Sequence, residues 1–169
     1  MRLLIDTNVP IVANQRGIPD VSNDCIDACE DLLLALTNDQ HQLILDYTWD
    51  IVDEYQNKLN SSGQPGIGDA FLRWILVNQR NPQRCEFVQI TPHPRRRYVE
   101  FPDDPALADF DPSDRKFVAA ALAHGAFPPI VNATDSDWRY YQTELAAHDV
   151  QVQFLCEADI QKIIVRKGK

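Results

Sequence analysis

Four acidic residues could do chemistry together: Asp6, Glu54, Asp114 and Asp135. Asp6 ends the apolar run Leu3-Leu4-Ile5, and Asp135 follows Pro129-Ile130-Val131-Asn132 after two residues. Carboxylates a few ångströms apart cannot all stay ionised without a cation. A set made only of oxygens suits Mg2+ or Mn2+, hard ions that keep several waters. Such an ion lowers the pKa of a bound water for attack on a phosphodiester, and a second ion about 4 Å away would stabilise the leaving oxygen. Cys-x-x-Cys pairs and histidines at zinc-finger spacing are absent, which disfavours zinc.

Each acid also has a plainer reading. Asp6 could simply end a strand. Asp114, three residues after Asp111, could complement a helix dipole. Glu54 could face solvent from an amphipathic helix. Asp135 and Asp137 could lie at the start of a helix capped at Thr134. The topological positions of the set favour a shared site.

Those positions come from the elements around them. Arg2–Ile5 and Gln42–Leu45 read as buried strands, continuous in apolar residues as in a covered parallel sheet. Ser22-Asn23-Asp24 starts a helix whose apolar positions run from Cys25 to Leu36. Thr48 is the expected N-cap of a helix to about Leu59, with Ile51, Val52, Tyr55 and Leu59 inward. A break at Ser61–Gly66 precedes a helix from Phe71 to Val77 that Asn81-Pro82 ends. Glu86–Ile90 is the third strand. Thr91–Phe110 holds Pro92, Pro94, Pro102 and Pro105, with Pro112 just beyond, and reads as a long loop or insertion. Asp111-Pro112 opens a helix to His124, with Gly125 as its stop. Pro129–Asn132 is the fourth strand, Ser136–Ala147 a helix, Val150–Leu155 the fifth strand, and Glu157–Val165 a last short helix.

Strands alternating with helices predict an α/β chain with a parallel sheet covered on both faces. Ligands of such sheets bind beyond the strands' carboxyl ends, where strand order reverses. If the first and fourth strands are neighbours there, Asp6 and Asp135 converge.

The 169 residues carry a net charge of −9 and are 44% hydrophobic, which fits one domain over 1–169 with its own core. An acidic chain is not a simple nucleic-acid coat. It can still act on nucleic acid, since bound cations offset a carboxylate cluster. No apolar run nears the roughly 18 residues that span a bilayer, and the opening Met1–Asp6 does not read as a leader. The expectation is a cytoplasmic chain without a membrane segment, whose cysteines (Cys25, Cys29, Cys85 and Cys156) are reduced and mostly buried.

At the acidic residues the chain resembles the PIN-domain nucleases, which include the VapC-type toxins. Leu3–Val9 is similar to that family's first strand and Asp-x-Asn element, and Asp50–Tyr55 to its helix with a central Glu. Asp111–Ala121 is similar to its third acid ahead of an alanine-rich helix, and Val131–Trp138 to its Thr-x-Asp-x-Asp-Phe element. The resemblance implies a three-layer α/β/α sandwich around a mostly parallel five-stranded sheet. It implies a Mg2+- or Mn2+-dependent endoribonuclease with Asp6, Glu54, Asp114 and Asp135 as ligands, Asp137 as an accessory acid, and Asn8 and Thr134 as polar supports. RNA would be the substrate; a toxin would add an antitoxin protein and a homodimer to the partners to test. The chain departs from the pattern at Ala133, where the family often has Thr or Ser, at Trp138 in place of Phe, and in its longer Thr91–Phe110 segment.

Arg95, Arg96 and Arg97 are candidates to grip RNA phosphates, with Tyr98 or Phe101 stacking on a base. Arg115 and Lys116, beside Asp114, are better placed to do so. Trp138, Tyr140 and Tyr141 read as core, and Arg166, Lys167 and Lys169 as a frayed basic tail. Three rival readings remain: an idle fold that binds RNA or protein, a phosphoacceptor domain, and a nucleotide-sugar transferase using Asp135-Ser136-Asp137. The intact acid set speaks against the first. The second lacks a paired acid after Asp6, and the third rests on a common dipeptide pattern in a short chain.

Overall fold

The structure, a computed structural model, describes residues 1–15 and 20–168; Lys169 lies outside the described residues. Strands β1 (Arg2–Ile5), β2 (Gln42–Asp46) and β3 (Cys85–Val88) join β6 (Ile130–Asn132) and β7 (Val152–Phe154) in one sheet, while β4 (Pro92–His93) and β5 (Arg97–Tyr98) form a separate hairpin. The helices are α1 (Asn8–Ala13), α2 (Asn23–Thr37), α3 (Asp50–Lys58), α4 (Ile67–Asn78), α5 (Arg115–Ala123), α6 (Ser136–Tyr140), α7 (Gln142–Ala146) and α8 (Glu157–Lys167).

The five-stranded sheet has the order β3-β2-β1-β6-β7 and every pairing in it is parallel. Its central strands are apolar on both faces because both are covered: Leu4, Ile5, Leu43, Ile44 and Leu45 are all 0% exposed. Helices α1, α2 and α4 pack on one another, and α3 packs on α5. The result is the expected three-layer α/β/α sandwich. Strand order reverses between β1 and β6, so the switch point lies where Asp6 leaves the sheet. Registers Arg2↔Gln42, Leu4↔Ile130 and Asp46↔Val88, carried to the strand ends, place Val88, Asp46, Asp6 and Asn132 on one level.

Helix α1, which the sequence reading passes over, starts within two residues of Asp6. It sits tightly on α4: a Cβ added at Gly68 would come within 2.0 Å of the Pro10 carbonyl oxygen. Asn14, after α1, accepts from Gly68 N at 2.8 Å and donates to Asp69 at 3.0 Å, fixing the two helices together.

Several expectations shift. Thr48 does not cap α3; its hydroxyl donates to Asp46, and Asp46 itself accepts from the backbone N–H of Asp50 and of Ile51 at 2.9 Å each. A buried carboxylate already at the strand end meets the orphan N–H groups first. The helix expected from Asp111 is a 3-10 turn, Pro112–Asp114, followed by α5. The helix expected over Ser136–Ala147 is two short ones, α6 and α7, joined at Tyr141. Thr91–Phe110 is not a bare loop. It forms the β4–β5 hairpin and a 3-10 turn, Pro105–Leu107, and it contributes Tyr98, Phe101, Leu107 and Phe110 to the core.

The cysteine expectation is half corrected. Cys29 and Cys85 are free and buried, but Cys25 and Cys156 form a disulfide with Cα atoms 5.1 Å apart. Their separation of 131 residues hides the pairing from the sequence. The bond joins the start of α2 to the residue before α8. Asp159 of α8 strengthens that junction by accepting from Ser22 N at 2.9 Å and Ser22 Oγ at 2.8 Å. Among the described residues no helix is long and apolar enough to cross a membrane.

Candidate carboxylate site

Asp6 leaves β1 at the switch point, 3% exposed. Its Oδ2 accepts from Asn8 N at 3.1 Å and from Asn132 Nδ2 at 3.0 Å. Asn132, at the end of β6, also accepts from Asp135 N at 3.0 Å, so one buried amide ties Asp6 to Asp135 across the switch point. A second clasp lies beside it: Asn8 Oδ1 accepts from Thr134 N at 2.7 Å, and Asn8 Nδ2 donates to Thr134 Oγ1 at 3.2 Å. The expected polar supports, Asn8 and Thr134, thus hold each other and the two chain segments that carry the acids.

The other two carboxylates arrive on helices. Asp114 is the residue before α5 and makes no capping bond with its side chain. Glu54 comes from α3, whose inward face seats Ile51, Val52 and Tyr55 as the periodicity predicts. Tyr55 Oη donates to the Ile5 carbonyl at 2.5 Å, which ties α3 to the strand end just before Asp6. Burial holds that phenol well above its ordinary pKa, with the charges of Asp6 and Glu54 adding to the rise.

The charges of these acids act on one another. Asp6 is pushed up to about 8, first by burial and then by the Asp135 charge; the Asn8 N–H opposes this, and Glu54 adds to it. Asp114 is pushed up to about 9 by burial, then by Asp6, Asp135, Asp111 and Glu54. Asp135 is raised by burial, partly offset by the Asp137 N–H that its carboxylate accepts at 2.9 Å. Like charges so placed favour protonation or a bound cation. The donors are all carboxylate oxygens at the carboxyl end of a sheet, a chemistry that fits Mg2+ or Mn2+. Among the described residues no three of these acids bring carboxylate oxygens within 4.8 Å of one another, so Asp6, Asp114 and Asp135 would have to draw together to hold such an ion, with Asp137, whose charge bears on Asp135, as a fourth acid nearby. The described side chains that do meet that spacing are Cys25, Cys29 and Cys156, two of them joined in the disulfide.

The basic residues divide. Lys116 joins the site, its Nζ 2.5 Å from Glu54 Oε2. Arg97 does so more loosely, sharing with Glu54, Ser113 and Lys116 an open groove of about 440 Å³. Arg95 is exposed on the hairpin. Arg96 turns back on its own segment, donating to the carbonyls of Phe101 and Val99 at 3.1 Å each. Arg115 is not a substrate contact: it is buried, donates to the carbonyls of Ala108 and Phe110 at 2.9 Å, and stacks over Phe101 at 4.6 Å. The turn of about 100° between successive helix residues points its side chain under the 96–110 segment and that of Lys116 toward Glu54. Tyr98 and Phe101, 6% and 2% exposed, are too buried to stack on a base.

Three residues of the site were missed. Asn132 is legible only as a polar residue closing an apolar strand. Asp111 bears on Asp114 and Asp135 while accepting from Ser113 N at 2.9 Å. Lys167, read as part of a frayed tail, donates to Ser136 Oγ at 2.9 Å and favours the charged form of Asp135. Trp138 is core at 0% exposed, whereas Tyr140 is 63% exposed beside Asp111 and Asp137. Compared with protein-family models, with curated proteins and with solved structures, the chain finds no match.

Proposed function

We propose that the chain is a Mg2+- or Mn2+-dependent endoribonuclease of the PIN-domain kind, hydrolysing RNA phosphodiester bonds at Asp6, Glu54, Asp114 and Asp135. What supports the reading is that Asn132 ties Asp6 to the Asp135 segment at the sheet's switch point, while Asp6 and Asp114 are pushed up to about 8 and about 9 by burial and by the charges of the other acids. Asp6 receives two donors and Asp135 one, against three for the structural Asp46, so the site acids are less fully satisfied by the fold. A bound ion would supply a water of lowered pKa and charge to offset the phosphate.

The chain's own residues have distinct tasks in this reading. Asn132 and the Asn8–Thr134 clasp hold Asp6 and Asp135 at fixed separation. Lys116 and Arg97 supply positive charge on the Glu54 side, where a scissile phosphate would lie. An antitoxin partner and a homodimer are parts of the same proposal and follow from the family resemblance alone; cytoplasmic location is proposed from the sequence's lack of an apolar span. The test is cleavage of single-stranded RNA by the purified chain in Mg2+, in Mn2+ and in EDTA, with Asp6→Asn as control. Metal-dependent cutting that Asp6→Asn abolishes supports the reading. A wild-type chain that cuts neither RNA nor DNA and binds neither ion sinks it, and leaves the idle binding module as the better account.

A further inference from the structure

Cys25, Cys29 and Cys156 bring their sulfurs within 4.8 Å of one another, and all three are buried. Two of them form the disulfide, which needs no third sulfur. Cys29 nevertheless stands beside it, one helical turn after Cys25 on α2, whereas the other free thiol, Cys85, belongs to β3. The surroundings suit a cation held by thiolates. Cys25 lies in the first turn of α2 and Cys156 directly precedes α8, and the partial positive charge of a helix start stabilises a thiolate. The charges of Asp159 and Glu30 bear on Cys29, a negative environment that a cation relieves.

We infer that the reduced chain holds one Zn2+ ion on the thiolates of Cys25, Cys29 and Cys156, a site separate from the carboxylates and independent of how they are read. Three sulfurs at this spacing select a soft or borderline ion, not Mg2+ or Mn2+. A tetrahedral Zn2+ has one further position, which a water fills. A dithiol reductant opens the site: it passes two electrons and two protons to the Cys25–Cys156 bond and becomes a disulfide itself. Zn2+ then displaces the three thiol protons. The cysteines stay together while the bond is open, because Asp159 of α8 still accepts from Ser22 N and Ser22 Oγ at the start of α2. Disulfide and ion thus make the same tie in two redox states. The sequence conceals the site, since Cys156 is 131 residues from Cys25.

The test reduces the full chain with a phosphine, removes the reductant under argon, and titrates with Co2+ as a coloured stand-in for Zn2+. The reduced wild type should take one Co2+ on thiolates, with sulfur-to-metal charge transfer in the near ultraviolet, and lose that band when Zn2+ is added. The disulfide form should not show it. Cys29→Ala leaves the disulfide pair intact and, once reduced, should bind at least about tenfold more weakly; Cys29→Ser stands in for it if the alanine variant does not fold. Cys85→Ala and Asp6→Asn should keep the band, which separates this site from the carboxylates. If reduction alone unfolds the chain, circular dichroism decides: Zn2+ should refold the reduced wild type and not the reduced Cys29 variant. A folded, reduced wild type without the band overturns the inference. So does a Cys29 variant that binds like wild type, or a reduced wild type that Zn2+ fails to refold. The nuclease reading stands in each of these cases.

Discussion

Asp6 and Asp46 close adjacent parallel strands at one level of the sheet, and both are nearly inaccessible, at 3% and 0% exposed. Asp46 turns toward the helix that follows its strand. There it accepts from the Thr48 hydroxyl and from two backbone N–H groups of α3, which a helix start leaves without partners. Asp6 receives one backbone N–H and one side-chain amide, and otherwise faces Asp135, Asp114 and Glu54. One carboxylate is used by the fold. The other is crowded by like charges at a cost to the fold, a perturbation of the kind that marks candidate functional sites.

The sharpest way to break the comparison is to neutralise each acid in turn. Asp6→Asn should lower Mn2+-dependent RNA cleavage by more than the roughly 10–100-fold that losing a mere supporting partner of a metal ligand costs. The fold should survive, and melting in EDTA should move to higher temperature because a repelling charge has gone. A variant that cuts RNA as well as wild type would show that Asp6 is structural like Asp46.

Asp46→Ala should do the reverse. It strands three donors, two of them backbone groups at the start of α3, and should destabilise the chain by about 2–3 kcal/mol in urea unfolding. Residual cleavage per folded molecule should stay near wild type. If instead stability is unchanged while cleavage vanishes, Asp46 belongs to the site.

The pH dependence of stability tests the crowding of Asp6 and Asp114 without mutation. Asp6 and Asp114 have native pKa values raised from 3.8 to about 8 and about 9. The native state therefore holds protons that the unfolded state has released. Their contribution to metal-free stability is complete below pH 3.8 and falls as pH rises toward 8 or 9. Thermal melts in EDTA should decline between pH 5 and pH 8, and Mn2+ should raise the melting temperature most at the upper end, where both carboxylates are available as ligands. A metal-free melt that improves across that window would contradict the crowded-acid description.

The smallest effects sharpen the division among the arginines. Arg115→Met should lower stability by about 1–2 kcal/mol, because carbonyls of the 108–110 segment lose a charged donor, with KM for RNA little changed. Arg97→Ala should leave the melt alone and raise KM roughly threefold at low salt, an effect that fades as salt is added. If Arg115→Met instead raises KM and spares the melt, the buried arginine does meet substrate.

Much of this was legible along the chain because it depends on local patterns. The apolar runs at Leu3–Ile5 and Leu43–Leu45, the inward face of α3 and the break before α4 are set by spacing and turn chemistry. So is the choice of Asp6 and Asp135 as acids at strand ends. What went unread depends on partners far apart. Asp46 replaced Thr48 as the cap because strand β2 runs one residue further than its apolar letters. Arg115 and Lys116 are neighbours in sequence but face opposite environments, one under the 96–110 segment and the other toward Glu54.

By itself, then, the sequence determined the order and type of the main elements and the kind of chemistry its acids could do, since backbone preference and hydrophobic period act over a few residues. Only the tertiary structure decided that Asn132 bridges two of those acids, that Cys25 meets Cys156, and that Lys167 reaches Ser136. Apart from the three-residue turn from Asn132 to Asp135, those contacts join residues over 30 to over 130 positions apart, and no local pattern encodes them. They form because covering both faces of the five-stranded parallel sheet brings helices and strand ends from distant parts of the chain together.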